Sequence, residues 1–247
     1  MKNVKPIINK IFLKRDLNKK IETFKAENPE PQRVFCPFHP EEVILEPRLI
    51  VTKNFLNWSI EKKICPRCAY KAQEDARREG ASTLVGVPPR YAFKNVISDF
   101  YETFFKKQGV IFAGKPGTGK TYEALKLAID LYIRTGKLAK FETAIDIAIQ
   151  LRTSIQENQY KYIINNLSNR DILFIDDLGA EVKSEFMHEA LRYIINHRYN
   201  YLLPVIITTN LTSKELIDCY GISIISRLYE MCEIVVLDGD DKRLIKN

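Results

Sequence analysis

The sequence predicts an α/β protein, a parallel sheet flanked by helices, preceded by a small helical module that binds Zn²⁺. Three observations carry that prediction. The stretch Gly114-Lys115-Pro116-Gly117-Thr118-Gly119-Lys120-Thr121 matches the phosphate-binding pattern G-x-x-x-x-G-K-[ST]. It lies between an apolar run, Val110-Ile111-Phe112-Ala113, and a helical periodicity from Tyr122 to Tyr132. The run Ile172-Leu173-Phe174-Ile175 reads as a strand buried on both faces and ends in two acids, Asp176 and Asp177. Two tight pairs, Cys36-Pro37-Phe38-His39 and Cys65-Pro66-Arg67-Cys68, supply four ligands suited to a closed tetrahedral Zn²⁺ site.

The totals set bounds on the reading. A chain of 247 residues holds one medium domain and a smaller module. Its formal charge of +7 permits a nucleic-acid partner without requiring one. No apolar run approaches the length that spans a bilayer, and the Met1 end lacks the apolar stretch of an export signal, so a cytoplasmic location with no membrane partner is expected. An odd count of five cysteines in a reducing compartment argues for metal over a disulfide framework.

Residues 3–28 place Ile7, Ile8, Ile11, Phe12, Ile21 and Phe24 at rough helical spacing. This predicts one or two amphipathic helices whose apolar stripe either packs on the next module or docks onto a partner. Asn28-Pro29-Glu30-Pro31 ends it. Cys36, His39, Cys65 and Cys68 are the expected metal ligands, and Leu49, Ile50, Val51, Phe55, Leu56 and Trp58 are available to cover them. With no ligand position left open, such a site is structural and holds together a segment too small for its own core. A charged helix over 69–79 stops at Gly80. Gly80–Arg90, with Gly86 and Pro88-Pro89, has linker composition, dividing a module over 1–80 from a domain over 81–247.

Phe93, Val96, Ile97, Phe100, Tyr101, Phe104 and Phe105 predict one helix over 93–107 with a broad aromatic face. A helix through Tyr132 follows the glycine loop and ends at Gly136. Leu138–Phe141 reads as a short strand, and helical spacing follows through Leu151 and again from Ile155 to Leu167. After the acidic strand come a helix over 186–198, a buried strand Val205–Thr209 ending at Asn210, and a last strand from Glu233 to Leu237.

The chemistry follows from the glycine loop and the acids. Gly114, Pro116, Gly117, Thr118 and Gly119 let the backbone curl so that its N–H groups face phosphate oxygens at a helix N-terminus. Lys120 is expected to bridge the β- and γ-phosphates of ATP, and Thr121 and Asp176 to hold Mg²⁺. Asp177 is the expected base for the attacking water. Asn210 either orients that water or the γ-phosphate, or caps a helix.

From these residues the region 81–247 resembles the DnaC/DnaI-type replicative helicase loaders and the related IstB-type ATPases that assist transposases, both AAA+ ATPases. The resemblance runs through Val85-Gly86-Val87-Pro88-Pro89-Arg90-Tyr91, the two Walker motifs at 114–121 and 172–179, Thr208-Thr209-Asn210 as a sensor segment, and Gly239–Arg243 as a tail. It implies an AAA+ P-loop fold without a separate C-terminal lid domain. It makes Arg227, in Ser226-Arg227-Leu228, an arginine finger acting on a neighbouring subunit, and it brings Arg198 and Arg243 in as weaker phosphate or interface groups. Three features depart from the family pattern. Only a single helix over 93–107 fits where relatives often carry a longer segment before the Walker A strand. Asp177 stands where many AAA+ proteins carry Glu, and Lys242 where the tail is often aromatic.

The resemblance further implies an ATPase, of slow turnover, that loads the replicative DNA helicase onto single-stranded DNA. Residues 1–80 would contact the helicase, ATP would drive self-association into a spiral or ring, and Thr143, Ala144, Lys161 and Tyr162 would lie toward the DNA. The alternatives it leaves are a transposase-assisting ATPase and a zinc-stabilised DNA-binding protein with a vestigial ATP site.

Overall fold

A computed structural model describes residues 17–51, 56–91, 93, 95–181 and 185–243. The chain forms two compact units, divided between Gln73 and Glu74.

In the first unit, helix α1 is described over residues 17–27. The earlier part of the predicted apolar stripe, Ile7, Ile8, Ile11 and Phe12, lies outside the described residues, as does Phe55. A three-stranded antiparallel sheet follows, in the order β1 (Val34–Phe35), β2 (Val43–Val51) and β3 (Leu56–Lys62). The module is therefore α+β where a helical one was expected. The residues responsible are the β-branched and aromatic side chains of the two long strands, which pair Leu49 with Trp58 and Pro47 with Ile60. Trp58 completes its polar edge by donating from Nε1 to the Asn28 carbonyl at 2.9 Å. Helix α2 (Pro66–Arg78) begins at the second ligand pair, with proline in the first helical turn where its missing N–H costs nothing.

The second unit is a five-stranded parallel sheet in the order β5-β6-β7-β4-β8, built from β4 (Gly109–Ala113), β5 (Ala139–Thr143), β6 (Ile172–Asp176), β7 (Val205–Thr209) and β8 (Glu233–Val236). Alternate residues of each strand face opposite sides, so the sheet separates two apolar cores. Val110, Phe112, Ile172, Phe174 and Ile206 pack against α3 (Ala81–Val85), α4 (Tyr101–Lys107) and α5 (Lys120–Thr135). Ile111, Leu173, Ile175, Val205 and Ile207 face the opposite core, which is covered by α6 (Ala144–Gln156), α7 (Tyr160–Asn169), α8 (Glu185–Asn200), α9 (Ser213–Tyr220) and α10 (Ile222–Met231).

Two local expectations are corrected. Gly80–Arg90 is not an extended linker, because Ala81 and Val85 in α3 are buried in the sheet's core. The helix expected over 93–107 starts only at Tyr101. Its aromatic spacing is genuine, but Asn95 Oδ1 accepts from Ile97 N at 3.0 Å, Ser98 Oγ from Phe100 N at 3.2 Å, and Asp130 Oδ2 from Ser98 N at 2.9 Å. Side chains take the N–H groups that a helix would use.

Arg198 is also corrected as a phosphate or interface group. It is fully buried on α8, donating to the carbonyls of Leu167, Ser168, Arg170 and Pro204. Burial lowers its guanidinium pKa to about 10. It ties α7 to the start of β7.

Candidate nucleotide site and metal cluster

Parallel strands bring their C-terminal ends to one edge of the sheet, and that edge is where loops and side chains converge. β7 lies between β4, which feeds the glycine loop, and β6, which ends in the acids. The last residues of β7 therefore stand between the two motifs, although the three stretches are far apart in sequence.

The loop requires its glycines. Gly117 and Gly119 have φ of 79° and 100°, in the left-handed region that side chains disfavour. A Cβ on Gly114 would meet the Leu237 carbonyl oxygen at 2.1 Å, and one on Gly117 would meet Asp241 Oδ1 at 1.8 Å. The chain after β8 thus runs closely against the loop, and Lys242 N donates to the Gly117 carbonyl at 3.1 Å.

Lys120, only 4% exposed, donates from Nζ to the Lys115 carbonyl at 2.7 Å, so its ammonium is folded back into the loop's own curl. Its pKa is lowered by burial and by Arg243, and raised again by Asp177 and Asp176. Asp176 is 4% exposed. Burial pushes its carboxyl pKa up, against hydrogen bonds from the Thr208 and Thr121 hydroxyls that lower it. The paired hydroxyl of Thr121 and carboxylate of Asp176 form an oxygen donor set that suits Mg²⁺.

Thr208 organises the acids, a role that its place in an apolar strand does not signal. Its Oγ1 donates to Asp176 Oδ1 at 2.7 Å and accepts from Asp177 N at 2.9 Å. Its carbonyl accepts from Leu178 N at 2.8 Å, and Thr209 Oγ1 returns a bond to the Leu178 carbonyl at 2.8 Å. This lattice holds Asp177 at a φ of 53°, an unusual conformation for a residue with a side chain. Asn210 then donates from Nδ2 to Asp177 Oδ1 at 3.0 Å.

A cavity of about 390 Å³ opens at this edge. Of the residues singled out in the sequence, Pro116, Gly117, Gly119, Lys120, Thr121, Asp177 and Asn210 line it. Asp176 lies behind, bonded to Thr121. Tyr91, Tyr122, Glu123, Lys242 and Arg243 also line the cavity, so the entry segment and the tail join the loop and the acids.

Arg227 does not line this cavity. Its Nη1 donates to the Ser223 carbonyl at 2.8 Å, and its guanidinium lies 5.7 Å from the Tyr199 ring centroid. Among the residues expected near DNA, Lys161 and Tyr162 are exposed and Thr143 caps α6. Ala144 is fully buried and cannot present its side chain to a ligand, which corrects that expectation.

In the first unit Cys36, His39, Cys65 and Cys68 converge, with their ligand atoms all within 4.8 Å of one another. His39 Nδ1 lies 3.4 Å from the sulfurs of Cys65 and Cys68 and 3.8 Å from that of Cys36, and Cys36 and Cys68 are 3.5 Å apart. A tetrahedron with bonds of about 2.0–2.3 Å has edges of roughly 3.3–3.8 Å, so the four donors fit Zn²⁺. Burial alone would raise the Cys36 thiol, but the Phe38 backbone N–H, His39 and Cys68 outweigh it and lower its pKa to about 6. Its half-buried partner Cys68, hydrogen-bonded to Cys36, is raised to about 12.

Comparison with known proteins agrees with this geometry. The sequence model of the family described as "IstB-like ATP binding protein" matches residues 93–247. The replicative helicase loader DnaC of Escherichia coli K12 is 29% identical over 120 residues, 48% of this chain and 49% of the loader. The chain thus matches about half the length of such relatives. The loader DnaI of Bacillus subtilis aligns over 98% of this chain and 88% of its own, at 20% identity. A crystal structure of the DnaC helicase loader superposes with a TM-score of 0.52 at 32% identity, covering 56% of this chain and 84% of that one.

Proposed function

Because the chain belongs to the family of IstB-like ATP binding proteins, we propose that it is an ATPase that loads a replicative DNA helicase onto single-stranded DNA. One observation carries the ATPase part of this reading. Lys120, Thr121, Asp176, Asp177 and Asn210, drawn from three strand ends, meet at a single edge of the sheet.

Each residue has work suited to its position. On binding, the triphosphate draws the Lys120 ammonium away from the Lys115 carbonyl, and the loop's N–H groups supply further donors. Mg²⁺, held by Thr121 and Asp176, would neutralise charge on the phosphates. Asp177 accepts the proton of the attacking water, while Asn210, bonded to the same carboxylate, fixes its orientation. Asp177 is shorter than the usual Glu, which fits slow turnover and a switch rather than a motor. No separate lid is needed in this account, since Lys242 bonds to Gly117 and Arg243 lines the cavity.

Arg227 stands apart from its own chain's cavity on a partly exposed surface, as a finger reaching a neighbour's γ-phosphate would. This supports self-association in an ATP-dependent spiral or ring. The 1–80 module, held by Zn²⁺, is the proposed helicase contact, and 81–247 the ATPase domain. Phe38, within the first ligand pair, and Ile64, just before the second, are 80% and 82% exposed and offer apolar contact area there. The DnaI alignment extends through this module, and that favours a loader over a transposase helper. A cytoplasmic location fits these partners.

The test is co-elution of the full chain with a replicative helicase, single-stranded DNA and a non-hydrolysable ATP analogue. A complex that forms with the analogue and dissolves with ATP supports the reading. No complex with the helicase, but one with a transposase, would overturn it in favour of the transposition role.

A further inference from the structure

The nucleotide cavity contains a negative group that phosphate binding leaves unexplained. Glu123 lines it, and its Oε2 is buried with no hydrogen-bond partner among the described residues. A first-turn acid is common because it complements the helix dipole, but that role is met at the surface and does not require a carboxylate that lines a ligand cavity with one oxygen buried and unpaired.

Position along α5 indicates how far the carboxylate stands from the phosphate-binding lysine. The helix rises about 1.5 Å per residue, so Glu123 stands about 4.5 Å further along the axis than Lys120. A carboxylate against the triphosphate would repel it. The group therefore belongs where the phosphates do not reach, at the end of the cavity left for the base. Flat apolar surface accompanies it: Tyr91 and Tyr122 line the same cavity, and the Phe93 and Tyr122 rings pack with centroids 4.8 Å apart. A carboxylate accepts hydrogen bonds and donates none, so its complement on the base is a donor. The exocyclic amine of adenine is one. The carbonyl that guanine and hypoxanthine carry at the same ring position would set lone pairs against lone pairs.

We propose that Glu123 is the residue that reads the base, accepting a hydrogen bond from the adenine amine and so selecting ATP. This rests on the nucleotide reading given above. It adds a determinant of substrate choice that acts on neither metal nor phosphate.

The experiment is calorimetry with Mg²⁺ and two ligands, ATP and purine riboside triphosphate, which has the same ring and phosphates but no amine. The wild-type chain is expected to prefer ATP by roughly tenfold or more. Glu123→Leu is expected to bind the two within about twofold of each other, chiefly through weaker binding of ATP. Glu123→Gln, whose amide oxygen still accepts, should retain part of the preference, and GTP should bind the wild type more weakly than ATP. Equal binding of the two ligands by the wild type would overturn the proposal without need of any variant, as would an undiminished preference in Glu123→Leu. Uptake of neither ligand by the wild type would instead overturn the nucleotide reading, and this inference with it.

Discussion

Asn210 and Asp177 share a hydrogen bond of 3.0 Å, from the amide Nδ2 to the carboxylate Oδ1. They are the residues immediately past the ends of two neighbouring parallel strands, β7 and β6. The bond fixes a carboxylate that lines the cavity and whose backbone is held at positive φ. Orientation of this kind affects rate far more than affinity.

Asn210→Ala should therefore lower kcat for ATP hydrolysis by roughly tenfold to a hundredfold while changing ATP affinity by less than about threefold. Steady-state kinetics together with direct nucleotide binding separates the two. Weakened binding with unchanged kcat would show that Asn210 serves the ground state only.

Asp176 is buried, and burial raises its pKa. A carboxyl whose folded pKa lies above its unfolded value contributes stability that is present below the unfolded pKa and is lost as pH rises through the folded one. At neutral pH the ionised group thus weighs against the nucleotide-free fold. Asp176→Asn, which keeps an oxygen to accept from Thr208, should raise the melting temperature of the nucleotide-free protein by a few degrees at pH 7, and the gain should shrink as pH falls. Hydrolysis should be abolished in the same variant. Thermal melts between pH 4 and pH 8 give the comparison, and a lower melting temperature at pH 7 would contradict it.

Metal analysis of the purified chain should find one Zn²⁺ per molecule, and Cys65→Ser should lose it. The second unit has its own two-sided core, so ATP binding should survive that loss to within about threefold. Elemental analysis paired with nucleotide titration tests both halves.

Arg227 has its proposed work on a neighbouring subunit. Arg227→Ala should bind ATP normally and hydrolyse it at least a hundredfold more slowly. Mixing it with Lys120→Ala should restore part of the activity, because each variant lacks a different half of the shared site. Failure of the mixture to recover any activity would place Arg227 outside the reaction.

How much of this was legible in the sequence differs from element to element. The glycine loop and the acidic strand carry their chemistry in consecutive residues, so both could be read directly. Thr208 could not, because a threonine in a strand is ordinary, and its two bonds to the acidic turn exist only once β6 and β7 are neighbours. Glu123 was hidden in the same way, as one acid in a helix's first turn. The aromatic spacing over 93–107 overstated a helix because periodicity does not register side chains such as Asn95 and Ser98 that capture backbone N–H groups. Gly86 and the two prolines made 80–90 look like a linker, although Ala81 and Val85 are core residues. The sheet of the first unit is hard to see in the sequence because its strands alternate only weakly, and their apolar residues suit a cover for the metal equally well.

The central claim is that the cavity at the sheet edge grips a triphosphate through Lys120. Isothermal titration of the intact chain with ATP and Mg²⁺ tests it most directly. Saturable uptake by the wild type, weakened at least about tenfold in Lys120→Ala, is the expected result. No uptake by the wild type, or equal uptake by both proteins, would contradict it.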